Sequence, residues 1–137
     1  MRSIARTLLL AAVVMAGGCD EDTTPTTPTP PAMTTETFNG TVTVNGAQTH
    51  SFTTQAAGSL TATLTTIGPA SSVTIGLSLG IFTPSLNSCQ IVVANDAAAQ
   101  GTRVTGSVSS AGNYCVRIYD VGRLTEASTY TITLEHP

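Results

Sequence analysis

The rhythm of apolar and polar residues changes twice along this chain. Residues 7–18 are apolar or small without a break, and residues 20–36 hold almost no large apolar side chain. From Thr37 onward apolar and polar positions alternate with a period of two, the signature of strands with one buried and one wet face. Phe38, Gly40, Val42 and Val44 share one face against Thr37, Asn39, Thr41 and Thr43. Asn45-Gly46 follows, a pair suited to a type I′ hairpin, and a return strand near Gln48–Thr54 carries Phe52 inward.

The alternation resumes after Gly58, with Leu60, Ala62 and Leu64 inward, and Gly68-Pro69 ends it. Val73, Ile75, Leu77 and Leu79 continue against Thr74, Gly76 and Ser78. Phe82–Ser88, with Pro84 and Asn87, reads as a loop, Cys89–Ala94 as a short strand, and Asn95–Gly101 as a loop whose alanines suit a helical turn. Val104, Gly106 and Val108 form the next apolar face. Tyr114, Val116 and Ile118 then oppose Cys115, Arg117 and Tyr119. After a polar loop over residues 120–127, the last strand turns Tyr130, Ile132 and Leu134 inward.

About eight such strands, each with one apolar face, predict an all-β fold: an antiparallel β-sandwich over residues 37–137. The 26 threonines agree, because a β-branched side chain suits the wet face of a sheet. With no tryptophan, the Cys–Trp–Cys pattern of an immunoglobulin domain is absent.

The first 18 residues place two arginines before an apolar run that is too short to span a bilayer, as a secretory signal does. Ala16-Gly17-Gly18-Cys19 resembles the lipobox of bacterial lipoproteins. The resemblance implies a cleaved signal peptide at residues 1–18 and lipidation of Cys19. It also implies an extracytoplasmic domain held at a membrane of the bacterial envelope. Asp20 resembles an inner-membrane retention signal of enteric bacteria, and which membrane carries the anchor stays open. Each buried methylene of an acyl chain adds about 0.8 kcal/mol, so two or three chains hold firmly. Residues 19–36, rich in threonine and proline, read as a disordered linker able to reach up to about 50 Å.

Once Cys19 is lipidated, Cys89 and Cys115 remain, and outside the cytoplasm they are expected to form a disulfide. The chain has no lysine, and only Arg103, Arg117 and Arg123 follow the leader. That basic content is too thin for nucleic-acid binding.

Phe38-Asn-Gly40, His50-Ser-Phe52, Ala57-Gly58-Ser-Leu60-Thr-Ala-Thr-Leu64, Ala111-Gly112-Asn-Tyr114-Cys-Val116-Arg-Ile118 and Tyr130-Thr-Ile132-Thr-Leu134 together resemble the bacterial pre-peptidase C-terminal domain. The resemblance implies a jelly-roll-like module that aids secretion, localisation or ligand binding, and some members bind calcium. Those members carry acidic residues around the strand written here as Ser72–Leu79, which holds none.

No catalytic constellation is visible. His50 reads as a strand-boundary residue and His136 as a solvated one beside the chain end, and there is no G-x-S-x-G, HExxH or Cys/His cluster. Asp96 and Asp120 are the loop carboxylates a calcium ion would use, without D-x-D spacing. Arg117 and Tyr119, with Arg103 nearby, form the candidate ligand patch. The expected function is therefore a non-catalytic, lipid-anchored envelope module that binds a protein or polysaccharide or gives structural support. The alternative is an accessory factor for secretion or targeting of a separate hydrolase.

Overall fold

The computed structural model describes residues 26–137; Cys19, its lipobox and the start of the linker lie outside them. Residues 26–33 are exposed and without regular structure. Eight strands follow: β1 Thr34–Val42, β2 Ala47–Thr54, β3 Gly58–Gly68, β4 Ile75–Thr83, β5 Ser88–Ala98, β6 Arg103–Val108, β7 Gly112–Tyr119 and β8 Ser128–His136. They form two antiparallel four-stranded sheets, ordered β1-β8-β3-β6 and β2-β7-β4-β5. This is the jelly-roll order, and the all-β sandwich is as expected from the alternation.

The core lies between the sheets. Leu60, Ala62 and Leu64 of β3, Val104 and Val108 of β6, and Ile132 and Leu134 of β8 face Phe52 of β2, Ile75, Leu77 and Leu79 of β4, and Val116 and Ile118 of β7. Each was placed inward by the period of two. Leu124 also enters the core, from the long loop over residues 120–127 that reads as polar.

Four local expectations are overturned. Asn45-Gly46 does not close a hairpin, because β1 pairs with β8 and β2 pairs with β7. The turn carries the chain from one sheet to the other. Gly46 N–H donates to Thr43 O at 2.8 Å, and Asn45 alone takes a positive φ, 55°. A type I′ turn would need it at both central residues. Val44 consequently sits in the turn and is exposed rather than inward.

Thr34–Glu36 belong to β1 rather than to the linker, since each has a partner in β8. The loop after β4 shrinks to Pro84–Asn87, a single 3-10 turn closed by Asn87 at φ 45°. Finally, Asn95–Ala98 extend β5 instead of forming a helical turn, with Asn95 opposite Leu77 and Ala98 opposite Ile75. Pairing with the central strand β4 outweighs the helical preference of a few alanines.

Candidate functional site

The outer face of the β2-β7-β4-β5 sheet holds the cysteines, Arg117 and Tyr119. Its middle strand, β4, points Gly76, Ser78 and Gly80 outward between the core residues Ile75, Leu77 and Leu79. Small side chains leave a trough along β4, and groups from β7 cross it to reach β5. The Tyr119 ring lies over Gly76, and its hydroxyl donates to Asp96 Oδ1 on β5. A Cβ on Gly76 would overlap that ring. Ser78, fully buried, donates from Oγ to Arg117 O at 3.3 Å.

At Gly80 the disulfide makes the second crossing. Cys115 of β7 and Cys89 of β5 are bonded, with Cα atoms 5.9 Å apart, and Gly80 is the register partner of Cys115. The β5 backbone folds so closely over this point that a Cβ on Gly80 would lie 2.8 Å from Gln90 C and 3.0 Å from Ile91 Cα. The bridge lies on the outer face, away from the inter-sheet core. By sequence parity Cys89 and Val93 share a face. A β-bulge between Leu79 and Gly80 makes Val92 the extra residue, so Val93 packs on the core while Cys89 meets Cys115.

Arg117 and Tyr119 form the expected pair, with the guanidinium carbon 5.8 Å from the ring centroid. Burial and then the bond to Asp96 push the Tyr119 hydroxyl up to about 12, so it remains a donor across the physiological range. Arg103 does not join them. It stands on β6 of the other sheet, 3.9 Å from Glu135, with Nε donating to Thr63 Oγ1. Consecutive strands in this topology usually occupy different sheets, which parity along the chain does not reveal.

Both histidines pack and hydrogen-bond within the sandwich. His50 of β2 stacks on Phe38 of β1, with centroids 4.8 Å apart, and its Nε2 lies 2.8 Å from Tyr130 Oη of β8. Burial lowers its pKa from 6.5. His136 is not solvated as its place near the end of the sequence implied. Only 3% of it is exposed, its ring is 5.2 Å from that of Phe52, and Nε2–H donates to Glu36 Oε1 at 2.9 Å.

The two candidate carboxylates are hydrogen-bonded within the chain. Asp96 accepts from Tyr119, and Asp120 uses both oxygens on backbone amides: Asn45 at 2.8 Å, Arg123 at 2.8 Å, Gly122 at 2.9 Å and Leu124 at 3.1 Å. These amides hold the Asp120 carboxyl below the usual carboxylate range. Asp120 thereby ties the β1–β2 turn to the β7–β8 loop. Among the described residues no three metal-ligating side chains come together.

The molecule is thus an antiparallel β-sandwich with an Arg117–Tyr119 pair on the outer face of one sheet. No family model matches the sequence, and no curated protein does. A solved structure with a similar fold is that of Aeromonas hydrophila PliG, a periplasmic lysozyme inhibitor of g-type lysozyme. The two superpose with a TM-score of 0.50 at 15% identity, over 73% of this chain and 83% of that one.

Proposed function

We propose that this protein is a non-catalytic binding module of the bacterial envelope, and that its partner is a protein. The carrying observation is the Arg117–Tyr119 pair. Arginine and tyrosine are the side chains that most often dominate protein interfaces, and ones already immobilised lose less entropy on binding. Here Asp96 and the Gly76 trough fix the tyrosine, and the tyrosine in turn supports the guanidinium. The fold shared with PliG favours a protein ligand such as a lysozyme-type hydrolase over a polysaccharide. The low aromatic content, 4%, adds to that preference, because sugar platforms use exposed rings. In this reading Cys19 carries the lipid, the Thr/Pro linker holds the sandwich off the membrane, and the pre-peptidase C-terminal resemblance reflects the same jelly-roll frame.

Titration of purified protein against g-type lysozyme, with peptidoglycan fragments in parallel, tests the proposal. Saturable binding or inhibition weakened at least about tenfold by Arg117→Ala is expected. Binding to glycan alone, or turnover of any substrate abolished by a point change, would overturn it.

A further inference from the structure

The β1–β2 side of the sandwich is sealed by Phe38, His50 and Tyr130, stacked and hydrogen-bonded to one another. Its two ends differ in chemistry. The strand registers put the β2–β3, β4–β5 and β6–β7 connections at one end, together with Thr34, where the linker enters β1. Those connections read Gln55-Ala-Ala57, Pro84-Ser-Leu-Asn87 and Ser109-Ser-Ala111, and none holds an ionisable side chain. The connections at the other end include Asp120, Arg123 and Glu126, and Tyr119 ends β7 beside them.

Leu86 leads the uncharged end. At the tip of the β4–β5 hairpin it is 75% exposed, more than any other large apolar side chain among the described residues. The turn that presents it is closed by Asn87 N–H donating to Pro84 O at 3.2 Å. Ile81 and Ile91 are exposed behind it on the same hairpin, and Met33, 56% exposed, precedes Thr34 at the same end. From Ser51 to Asn95 the chain has no Asp, Glu, Lys, Arg or His. The nearest acids, Glu36 and Glu135, stand on the other sheet, where Glu36 accepts from His136 and Glu135 lies 3.9 Å from Arg103.

We propose that this end of the sandwich rests on a lipid bilayer, with Leu86 inserted at the boundary of headgroups and acyl chains. The inference rests on the reading of Cys19 as the lipidated residue. Residues 19–33 then join the bilayer to the same end that carries Leu86, so docking needs no reversal of the domain. A leucine tip on a free protein would hold a membrane only weakly. The tether makes the contact intramolecular, at an effective concentration on the order of millimolar for a short flexible linker, and a weak apolar contact then suffices. With no arginine in the three connections, the contact owes nothing to anionic headgroups. Docked this way, the domain turns the Tyr119 end away from the membrane, toward a partner.

The chain has no tryptophan, so Leu86→Trp places a single reporter at the tip, and Val44→Trp places one in the β1–β2 turn at the other end. Lipidated full-length protein carrying each change is incorporated into phosphatidylcholine vesicles, with and without brominated acyl chains. The expected result is L86W emission shifted to the blue and lost to the brominated lipid, with V44W emission unchanged. Tryptophan itself favours the interface, so hydrogen exchange of the unsubstituted lipidated chain supplies a second measurement. The amides of Ser85–Ser88 should exchange several-fold more slowly on vesicles, and those of residues 120–127 should not. Protein that floats with the vesicles while L86W stays unquenched, or while exchange at Ser85–Ser88 is unchanged, overturns the docking and leaves the anchor standing. Equal quenching of V44W also overturns it. Failure of the lipidated chain to float overturns the anchor and the docking together.

Discussion

His136 Nε2 donates to Glu36 Oε1 at 2.9 Å, joining the last strand to the first three residues of β1. Among the described residues this bond satisfies a ring nitrogen that is otherwise walled in beside Phe52. Glu36→Ala leaves that nitrogen without its acceptor, and a buried donor stripped of its partner costs about 1–3 kcal/mol. Because the Glu36 side chain is 37% exposed, water can replace part of the bond, and the lower end of that range is expected. Chemical denaturation checks the value. Stability unchanged in E36A would mean that the Glu36–His136 bond adds nothing to the domain.

The disulfide spans a sequence separation of 26 residues and ties two strands that are not neighbours in the sheet. On the loop-entropy model its removal costs about 3–4 kcal/mol. Cys89→Ala/Cys115→Ala should unfold at correspondingly lower denaturant concentration than the oxidised parent. The intact domain should have a mass two hydrogens below the dithiol. Free alkylation of both thiols in native, unreduced protein would contradict the bridge.

The strands were legible because a period of two is a local property: Leu60, Ala62 and Leu64, or Tyr130, Ile132 and Leu134, announce their face without reference to the rest of the chain. Sheet membership is not local. Asn45-Gly46 is a strong hairpin signal, yet burying the apolar faces of both strands requires β1 and β2 to pair elsewhere. The same limit separated Arg103 from Arg117. The Cys89–Cys115 pair was readable from compartment and count, while its route needed a bulge that shifts parity at Val92. One missed signal was present in the sequence. Gly76, Ser78 and Gly80 are all small, and that run marks a trough that side chains from β7 cross.

The trough gives a paired prediction about glycine. A Cβ at Gly80 meets β5 backbone, which has no flexible end to move aside, so Gly80→Ala should cost about 1–3 kcal/mol. A Cβ at Gly106, on β6, meets only Leu79 Cδ1 and Val93 Cγ1, each at 3.6 Å. That is ordinary contact, and alanine also restricts the unfolded chain, so Gly106→Ala should be neutral or stabilising by up to about 1 kcal/mol. Thermal unfolding of the two variants side by side checks the contrast. Equal effects would show that β5 is free to move away from Gly80.

The seal at the β1–β2 edge carries a pH dependence whose sign follows from burial. His50 has a lowered pKa in the folded protein, because its half-buried ring between Phe38 and Tyr130 disfavours the imidazolium. The unfolded chain therefore binds the proton more readily, and stability rises with pH across the interval between the folded value and 6.5. The contribution is fully present above about 6.5 and is lost as the pH falls through that interval. Tyr130 strengthens the effect in its neutral form: burial raises its pKa, so the hydroxyl stays protonated and can donate to Nε2 of the neutral ring. His50→Gln keeps a hydrogen-bonding side chain at the position and removes the titration. Denaturation midpoints measured from about pH 7.5 to about pH 5 should fall less steeply for H50Q than for the parent. Parallel curves over that range would place the proton-linked loss of stability at another group.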